Sequence, residues 1–358
     1  MCLSYNHLWT MVNKWNVQMR VTRLRNLVLL VQGLLASRSG CLSAIVRQWP
    51  MTGTRHVHRL KRLHRFLQNE AVPVTAVSQL LANLMWGYRP GGERSRLVPI
   101  ALDWTKVHQF HVLWAAMPRR KRALPLAHGV YHPDRLRHSQ NKLEHGLCAL
   151  VASWLPEELT PLFLADRGFG RTEFVRWLQQ HDFAFVVRLK SETIVTYRRR
   201  SCRLGDFDTI EGAPILLSNV LYRQEQPVRV HIVVSRLGDK VWYLGTSLRD
   251  PRQTVAWYQK RFWIEEMFRD FESLLGLRQV RLKDEQRLTR LLLGYQMAYF
   301  ILSVIGLNVP KRWHHKLASR NRLSTIWVAL EALPLLARRR YRRTWSHHIW
   351  PALLLETG

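Results

Sequence analysis

The sequence predicts a mixed α/β protein: a sheet flanked by helices, preceded by a helical N-terminal unit and interrupted by an antiparallel β insertion. Three observations predict it. Apolar residues recur at helical spacing through about residue 95. From Leu97 the apolar runs shorten and alternate with helical stretches, in the order three strands, helix, strand, helix, strand. β-branched runs separated by turns then fill 191–253, ahead of a long amphipathic stretch and a basic C-terminus. The expected units are 1–95 (helical), 96–190 and 254–308 (two parts of one core), 191–253 (the insertion) and 309–358 (a basic segment).

Taken in order, Thr22–Ala36 and Leu42–Gln48 are apolar-periodic and separated by the Ser/Gly break at Ser37–Gly40. His56–Leu67 sets Leu60, Leu63 and Leu67 on one face and spreads Arg59, Lys61, Arg62 and Arg65 over the rest. Such a helix suits a phosphate backbone or is simply solvated. Val74–Trp86 is a further helix, and Arg89–Arg94, with its Pro-Gly-Gly, is a linker. Leu97–Leu102 is a buried strand ending in an acid, Asp103; Val107–Ala116 and Arg122–Val130 complete a meander around the basic turn Pro118–Arg122. Leu143–Leu155 is helical. Pro161–Ala165 is a second buried strand that also ends in an acid, Asp166, followed by Arg167-Gly168-Phe169-Gly170. A helix over Thr172–His181 and a strand over Phe183–Leu189 close the first part of the core. Insertion strands are expected at Glu192–Tyr197, Ile215–Tyr222, Val228–Ser235 and Lys240–Thr246. Helices over Gln253–Leu277 and Leu288–Leu307 follow, and the tail contains the basic run Arg338–Arg343.

Lys plus Arg number 55 against 25 acids, a net charge of +30 with a pI near 11.1. Such an excess repels itself unless a polyanion compensates it, so nucleic acid is the expected partner and a membrane surface the lesser one. The four cysteines, Cys2, Cys41, Cys148 and Cys202, form no ligand pattern. Neither a disulfide nor a structural zinc is expected, which suits a reducing cytoplasm. The N-terminus lacks the layout of a signal peptide. The apolar run Leu291–Leu307 is broken by Gly294, Gln296, Ser303 and Gly306 and reads as a buried helix, so no membrane span is expected.

The chemistry gathers around Gln253–Leu277. At about 100° per residue, Tyr258, Arg261, Glu265, Arg269 and Glu272 share one stripe, with Trp263, Ile264, Met267, Phe271 and Leu274 opposite. Alone this is an ordinary amphipathic helix with salt bridges worth roughly 0.2–0.5 kcal/mol each. A single Asp after a strand is likewise an ordinary turn or cap residue. Asp103 and Asp166, however, both end strands that the element order sets side by side, where α/β sheets place their sites. With Glu265 they offer three oxygen donors. Such donors suit Mg²⁺ or Mn²⁺, and two ions could activate the attacking oxygen and stabilise the leaving oxygen of a phosphodiester.

These residues resemble the DDE transposases of bacterial insertion sequences, in the group whose RNase H-like core is interrupted by a β-rich insertion. The similarity runs from Leu24-Arg-Asn-Leu-Val and Arg62-Leu-His-Arg-Phe-Leu-Gln-Asn69 through Gly306. Ala-Leu-Asp103-Trp-Thr matches the first motif and Asp166-Arg-Gly-Phe169 the second. Tyr258, Arg261 and Glu265 match the third, Tyr-x2-Arg-x3-Glu-x6-Lys, which is the specific one. The terminal Lys is replaced by Glu272. The resemblance implies a catalytic and metal-binding triad of Asp103, Asp166 and Glu265 with two Mg²⁺ or Mn²⁺ ions. It also implies DNA contacts from Tyr258, Arg261, Arg269 and Arg167, and a Trp242 that stacks on a flipped base; the residues alone also read Trp242 as a core side chain of its strand. It implies a cytoplasmic protein, nucleoid-associated on DNA, whose 1–95 unit binds DNA and which dimerises on paired inverted-repeat ends before joining them to target DNA. Two alternatives stay open: a relative that binds without cutting, to which Glu272 points, and a nuclease without strand transfer.

Overall fold

The structure, a computed structural model, describes residues 4–87, 96–136, 139–223, 226–310 and 324–336. The expected linker at 89–94 and the basic run at 338–343 lie outside the described residues.

Five helices form the N-terminal part: α1 (Tyr5–Lys14), α2 (Val21–Ser37), α3 (Leu42–Arg47), α4 (His56–Gln68) and α5 (Val74–Gly87). α1 has no counterpart in the sequence reading; the Ser4 hydroxyl caps it by accepting the His7 N–H at 3.3 Å. α2 is buried from Leu27 to Leu35 because it is wrapped by α1, α3, α4 and α11 (Glu285–Asn308). α4 buries only Leu63, Phe66 and Leu67 and leaves its basic side outward.

One ten-stranded sheet follows: β1 (Leu97–Val107), β2 (Phe110–Arg119), β3 (Arg122–Tyr131), β4 (Thr160–Ala165), β5 (Ala184–Arg188), β6 (Ile194–Tyr197), β7 (Arg200–Arg203), β8 (Ile215–Tyr222), β9 (Val228–Leu237) and β10 (Lys240–Thr246). Its order is β3-β2-β1-β4-β5-β10-β9-β8-β6-β7. β1, β4 and β5 are parallel and the other pairings antiparallel. Between them lie α6 (Pro133–Leu136), α7 (Gln140–Ala152) and α8 (Thr172–Gln180); α9 (Pro251–Arg261), α10 (Trp263–Ser273), α11 and α12 (Thr325–Leu336) come after. A mixed sheet flanked by helices, consistent with the RNase H-like core, is what the chain adopts. The strands of 191–253 are antiparallel, yet they continue the core sheet, because β10 pairs with β5 through Thr246↔Val186 and Leu244↔Arg188.

Both faces of the central strands are covered, which is why β4 and β5 read as unbroken apolar runs. Leu162, Leu164, Val186 and Leu244 pack under Trp257 and Tyr258 of α9. Phe163, Ala165, Phe185 and Val187 face the other way, toward α7 and α8.

Two boundaries differ from the sequence reading. β1 does not stop at Leu102: it runs through Asp103 to Val107, because residues 103–107 keep pairing with β2 after the parallel partner β4 has ended at Ala165. The expected single helix over 253–277 is two, α9 and α10, separated at Phe262. The buried face changes there. α9 crosses the sheet centre and buries Thr254, Trp257, Tyr258 and Arg261, whereas α10 turns onto β1–β3 and buries Ile264, Met267, Asp270 and Phe271. Periodicity placed Tyr258 and Arg261 on the open side; they are 1% and 5% exposed.

Among the described residues α11 is the one helix long and apolar enough to cross a membrane, and 89% of that apolar window is buried inside the protein. Its polar members are bonded there: Arg290 donates to the Leu67 carbonyl at 2.9 Å and Gln296 to the Leu126 carbonyl at 2.7 Å.

Candidate active site

The site begins with register. Leu102 pairs with Ala165, so the next residues in the two parallel strands, Asp103 and Asp166, stand side by side. Ala101 pairs with Leu164, which packs under α9, and a two-residue period puts Asp103 on that same face. Each carboxylate is held by a nearby backbone amide. Asp103 Oδ1 accepts the Trp104 N–H at 2.9 Å, and Asp166 Oδ1 accepts the Gly168 N–H at 2.9 Å across the short turn Arg167–Phe169. A Cβ at Gly168 would lie 3.1 Å from that same oxygen, so the glycine permits the close approach.

The third acid arrives from the far end of the chain. Asp250 caps α9, accepting the N–H groups of Arg252 and Gln253 on Oδ1 at 2.8 and 3.1 Å, and Pro251 occupies the first turn. At the other end of α9 the Arg261 guanidinium bridges two acids, with Nη2 donating to Asp103 Oδ2 at 2.7 Å and Nη1 to Glu265 Oε1 at 2.6 Å. The side chains of Arg261 and Asp103 are 6% and 15% exposed and that of Glu265 is 43% exposed. One buried cation thus joins acids 162 residues apart in sequence, from Asp103 to Glu265.

The electrostatics follow from this crowding. Burial pushes the Asp103 carboxyl up to about 6; Arg261 pulls it down, and the charges of Asp166 and Glu265 push it up again. Burial works against the Arg261 charge, but Asp103, Tyr258, Asp166 and Glu265 together hold its pKa above the ordinary value. Burial pushes Tyr258 up to about 12, against the pull of Arg261 and Arg188, so its hydroxyl stays protonated and able to donate.

The structure therefore brings together Asp103, Asp166, Glu265, Arg261 and Tyr258. Arg167 is exposed on the turn that follows Asp166. Arg269, one turn beyond Glu265 on α10, is 68% exposed and paired with Glu266 at 2.7 Å. Trp242 is a core residue of β10, 5% exposed, set edge-on to Tyr258 at 5.2 Å and against Phe262 at 5.7 Å, with the Arg188 guanidinium over its ring at 5.8 Å. An alternating strand carries a buried aromatic and a displayed one in the same way, which is why sequence did not separate them.

Arg188 was missed. Ala165 pairs with Val187, so Arg188 stands beside Asp166 at the end of the third parallel strand, near Tyr258. The signal existed: a charged residue closing the apolar run Phe183–Val187, at the position where the other two strands carry aspartates.

Glu272 is neutralised by Arg278, whose Nε lies 2.8 Å from Oε2. Lys106, His108 and Arg278 line a cavity of about 180 Å³ with it. The acid at this position is surrounded by bases.

Carboxylate oxygens are the donors a hard divalent cation takes, and Asp103 and Asp166 offer them side by side. A cation there would offset the burial and the neighbouring acid charges that raise Asp103. Among the described residues no three His, Cys, Asp or Glu side chains already converge as a ligand set. Glu265 accepts from Arg261 instead, so the donor chemistry fits and Glu265 would have to leave the guanidinium to act as a third ligand.

Residues 136–301, just under half of the chain, match the family model described as the transposase DDE domain. The match includes Asp166, Arg261 and Glu265 and begins after Asp103. No curated protein matches the chain.

Proposed function

We infer, from a chain that carries an insertion-sequence transposase DDE domain, that this protein binds the ends of a mobile DNA element as a dimer and cuts and rejoins DNA there. The domain supports a transposase, a DNA-cleaving enzyme of a family that uses divalent metal ions and acts on DNA. The finer reading assigns the chemistry to Asp103, Asp166 and Glu265. The observation that carries it is the Leu102↔Ala165 register, which sets the two aspartates together, joined through Arg261 to Glu265.

The three acids would hold two Mg²⁺ or Mn²⁺ ions, which when bound activate an attacking oxygen and stabilise a leaving oxygen at phosphorus. The surrounding residues orient the strand. A phosphodiester entering the site would compete with Asp103 and Glu265 for the Arg261 guanidinium through charge-assisted hydrogen bonds, freeing both acids as it binds. Tyr258, kept protonated, and Arg188 beside it would donate to the same phosphate. Positioning of this kind is most of what phosphoryl transfer needs from a protein. In the N-terminal part the exposed residues Arg55, at the N-cap of α4, and His58, Lys61 and Arg65 on it follow one side at spacings of 3, 3 and 4. That helix is the element proposed to read the DNA ends.

The purified chain with a duplex carrying the terminal repeats that flank its reading frame tests this. In Mg²⁺ or Mn²⁺ the wild type is expected to nick the ends and join them to target DNA; Asp166→Asn and Glu265→Gln are expected to bind and not cut. Full cleavage by either variant would overturn the assignment. Binding without cutting by the wild type would select the non-cutting alternative, and cut products with no joined ones the nuclease. The bases around Glu272 favour retained cleavage.

A further inference from the structure

On the face of the sheet opposite α9, Glu144 of α7 is 1% exposed; among the described residues it and Asp270 are the two acids buried to this degree. It is fully bonded. Oε1 accepts the Trp104 indole N–H at 2.9 Å and Gln140 Nε2 at 2.9 Å, and Oε2 is paired with Arg171. Arg171 also donates to the Gly168 carbonyl and, through Nε, to Asn141 Oδ1 at 2.5 Å.

Each of these partners sits one step from a site aspartate. Trp104 follows Asp103 and gives it a backbone N–H; Gly168 gives Asp166 its backbone N–H. Glu144 therefore reaches both carboxylates through the residue that orients each, directly on the Asp103 side and through Arg171 on the Asp166 side. The parallel pairing itself ends at Leu102↔Ala165, so sheet hydrogen bonds do not fix the spacing of the two acids beyond that point. We propose that Glu144 is the positioning residue that sets Asp103 and Asp166 relative to one another, by anchoring Trp104 and the Arg171–Gly168 turn to one buried carboxylate. A buried charge of this kind adds little net stability to a fold compared with an apolar residue of the same size. It does fix geometry, because both of its oxygens are held by donors.

Its consequence for cleavage rests on the proposed function above, but its structural part does not. The test is hydrogen exchange of the DNA-free protein read separately at the Trp104 and Gly168 amides, with cleavage measured alongside. Glu144→Gln is expected to speed exchange at both amides at least fivefold and leave β8 and β9 at wild-type rates. Trp104→Phe removes the indole N–H and keeps a smaller aromatic ring on the side of Tyr131 (5.9 Å) and His111 (6.5 Å). It is expected to loosen the Trp104 amide alone. Arg171→Gln is expected to loosen Gly168 alone. If Glu144→Gln does not fold, these two one-sided variants decide. Unchanged exchange at both amides, a response in Glu144→Gln at one amide only, or a uniform speeding of the whole sheet would overturn the proposal. In the cleavage arm all three variants are expected to bind end DNA as the wild type does and to cut at least tenfold more slowly at saturating DNA. Wild-type cutting rates in Glu144→Gln would likewise overturn it. A wild type that cuts nothing while the exchange pattern holds would sink the proposed function and leave the positioning role standing.

Discussion

Replacing Asp103 with Asn should make the protein more stable by a margin that grows as pH rises from about 4 and is complete above about 6. The Asp103 carboxyl has an ordinary pKa of 3.8 and is pushed up to about 6 in the fold, chiefly by burial. A rise of about two units corresponds to about 3 kcal/mol against the ionised form in the native state. The folded protein binds the proton more tightly than the unfolded chain, so stability falls as pH rises between these two values and the whole penalty is present above 6. Asn cannot ionise, yet it keeps an oxygen for Arg261 Nη2 and an isosteric shape. Urea denaturation of wild type and Asp103→Asn in EDTA, from pH 4 to pH 8, reads this group together with its coupling to Arg261, Asp166 and Glu265. The expected difference is near zero at pH 4 and about 3 kcal/mol in favour of the variant at pH 8, with equal m-values. Mn²⁺ should narrow it by stabilising the wild type. A variant equal to or weaker than wild type at pH 8 would show that Arg261 already compensates the buried charges, and the account of a crowded, cation-seeking site would fail.

His128 of β3 gives a slope of the opposite sign. Burial pushes its imidazole down to about 4, and Nε2 faces the Thr289 carbonyl at 3.0 Å. Native stability is therefore complete above the ordinary value of 6.5 and declines by up to about 3 kcal/mol as pH falls to 4; His128→Gln should abolish that loss in the same urea titration. Gly276 ends α10's descent at φ +68, where an added Cβ would meet Ser39 Cα at 2.7 Å. Gly276→Ala combines a left-handed residue, about 1–2 kcal/mol, with a backbone clash of about 1–3 kcal/mol, and should lower the urea midpoint accordingly. Asp250→Ala removes the cap of α9 at a cost of about 1 kcal/mol. Because α9 carries Tyr258 and Arg261, amide exchange in its first turn should speed up before the rest of the helix does.

Much of the plan was readable from residue patterns. The alternation of short apolar runs with helical stretches gave the strand order that puts Asp103 next to Asp166, and two acids closing two such runs marked the place. What patterns could not supply was how each helix lies on the sheet. A 3.6-residue period assigned Tyr258 and Arg261 to the open face because both are polar. In the fold α9 crosses the sheet over the carboxylates, and a buried guanidinium is tolerated there because Asp103 and Glu265 meet it. Glu144 escaped for the same reason: a charged residue in the first turns of α7 looks solvated until Trp104 and Arg171, from two different strand ends, are found against it. Trp242 was open in the sequence between a core residue and a displayed ring, because an alternating strand can carry either, and it is buried.

The pairing of β10 with β5 bears on how such a chain can be shortened or lengthened. Parallel strands are rarely left with an open edge, since a row of free N–H and C=O groups beside an apolar strand invites association with other copies. Here the segment 191–253 supplies that cover: it passes from β5 to the far edge of the same sheet at β6 and β7 and returns through β8 and β9 to lie alongside β5 as β10. New strands or loops can accumulate at the outer hairpin, β6–β7, without disturbing β5. Excision of the whole segment would instead strip β5, and the predicted result is insoluble protein rather than a minimal catalytic core.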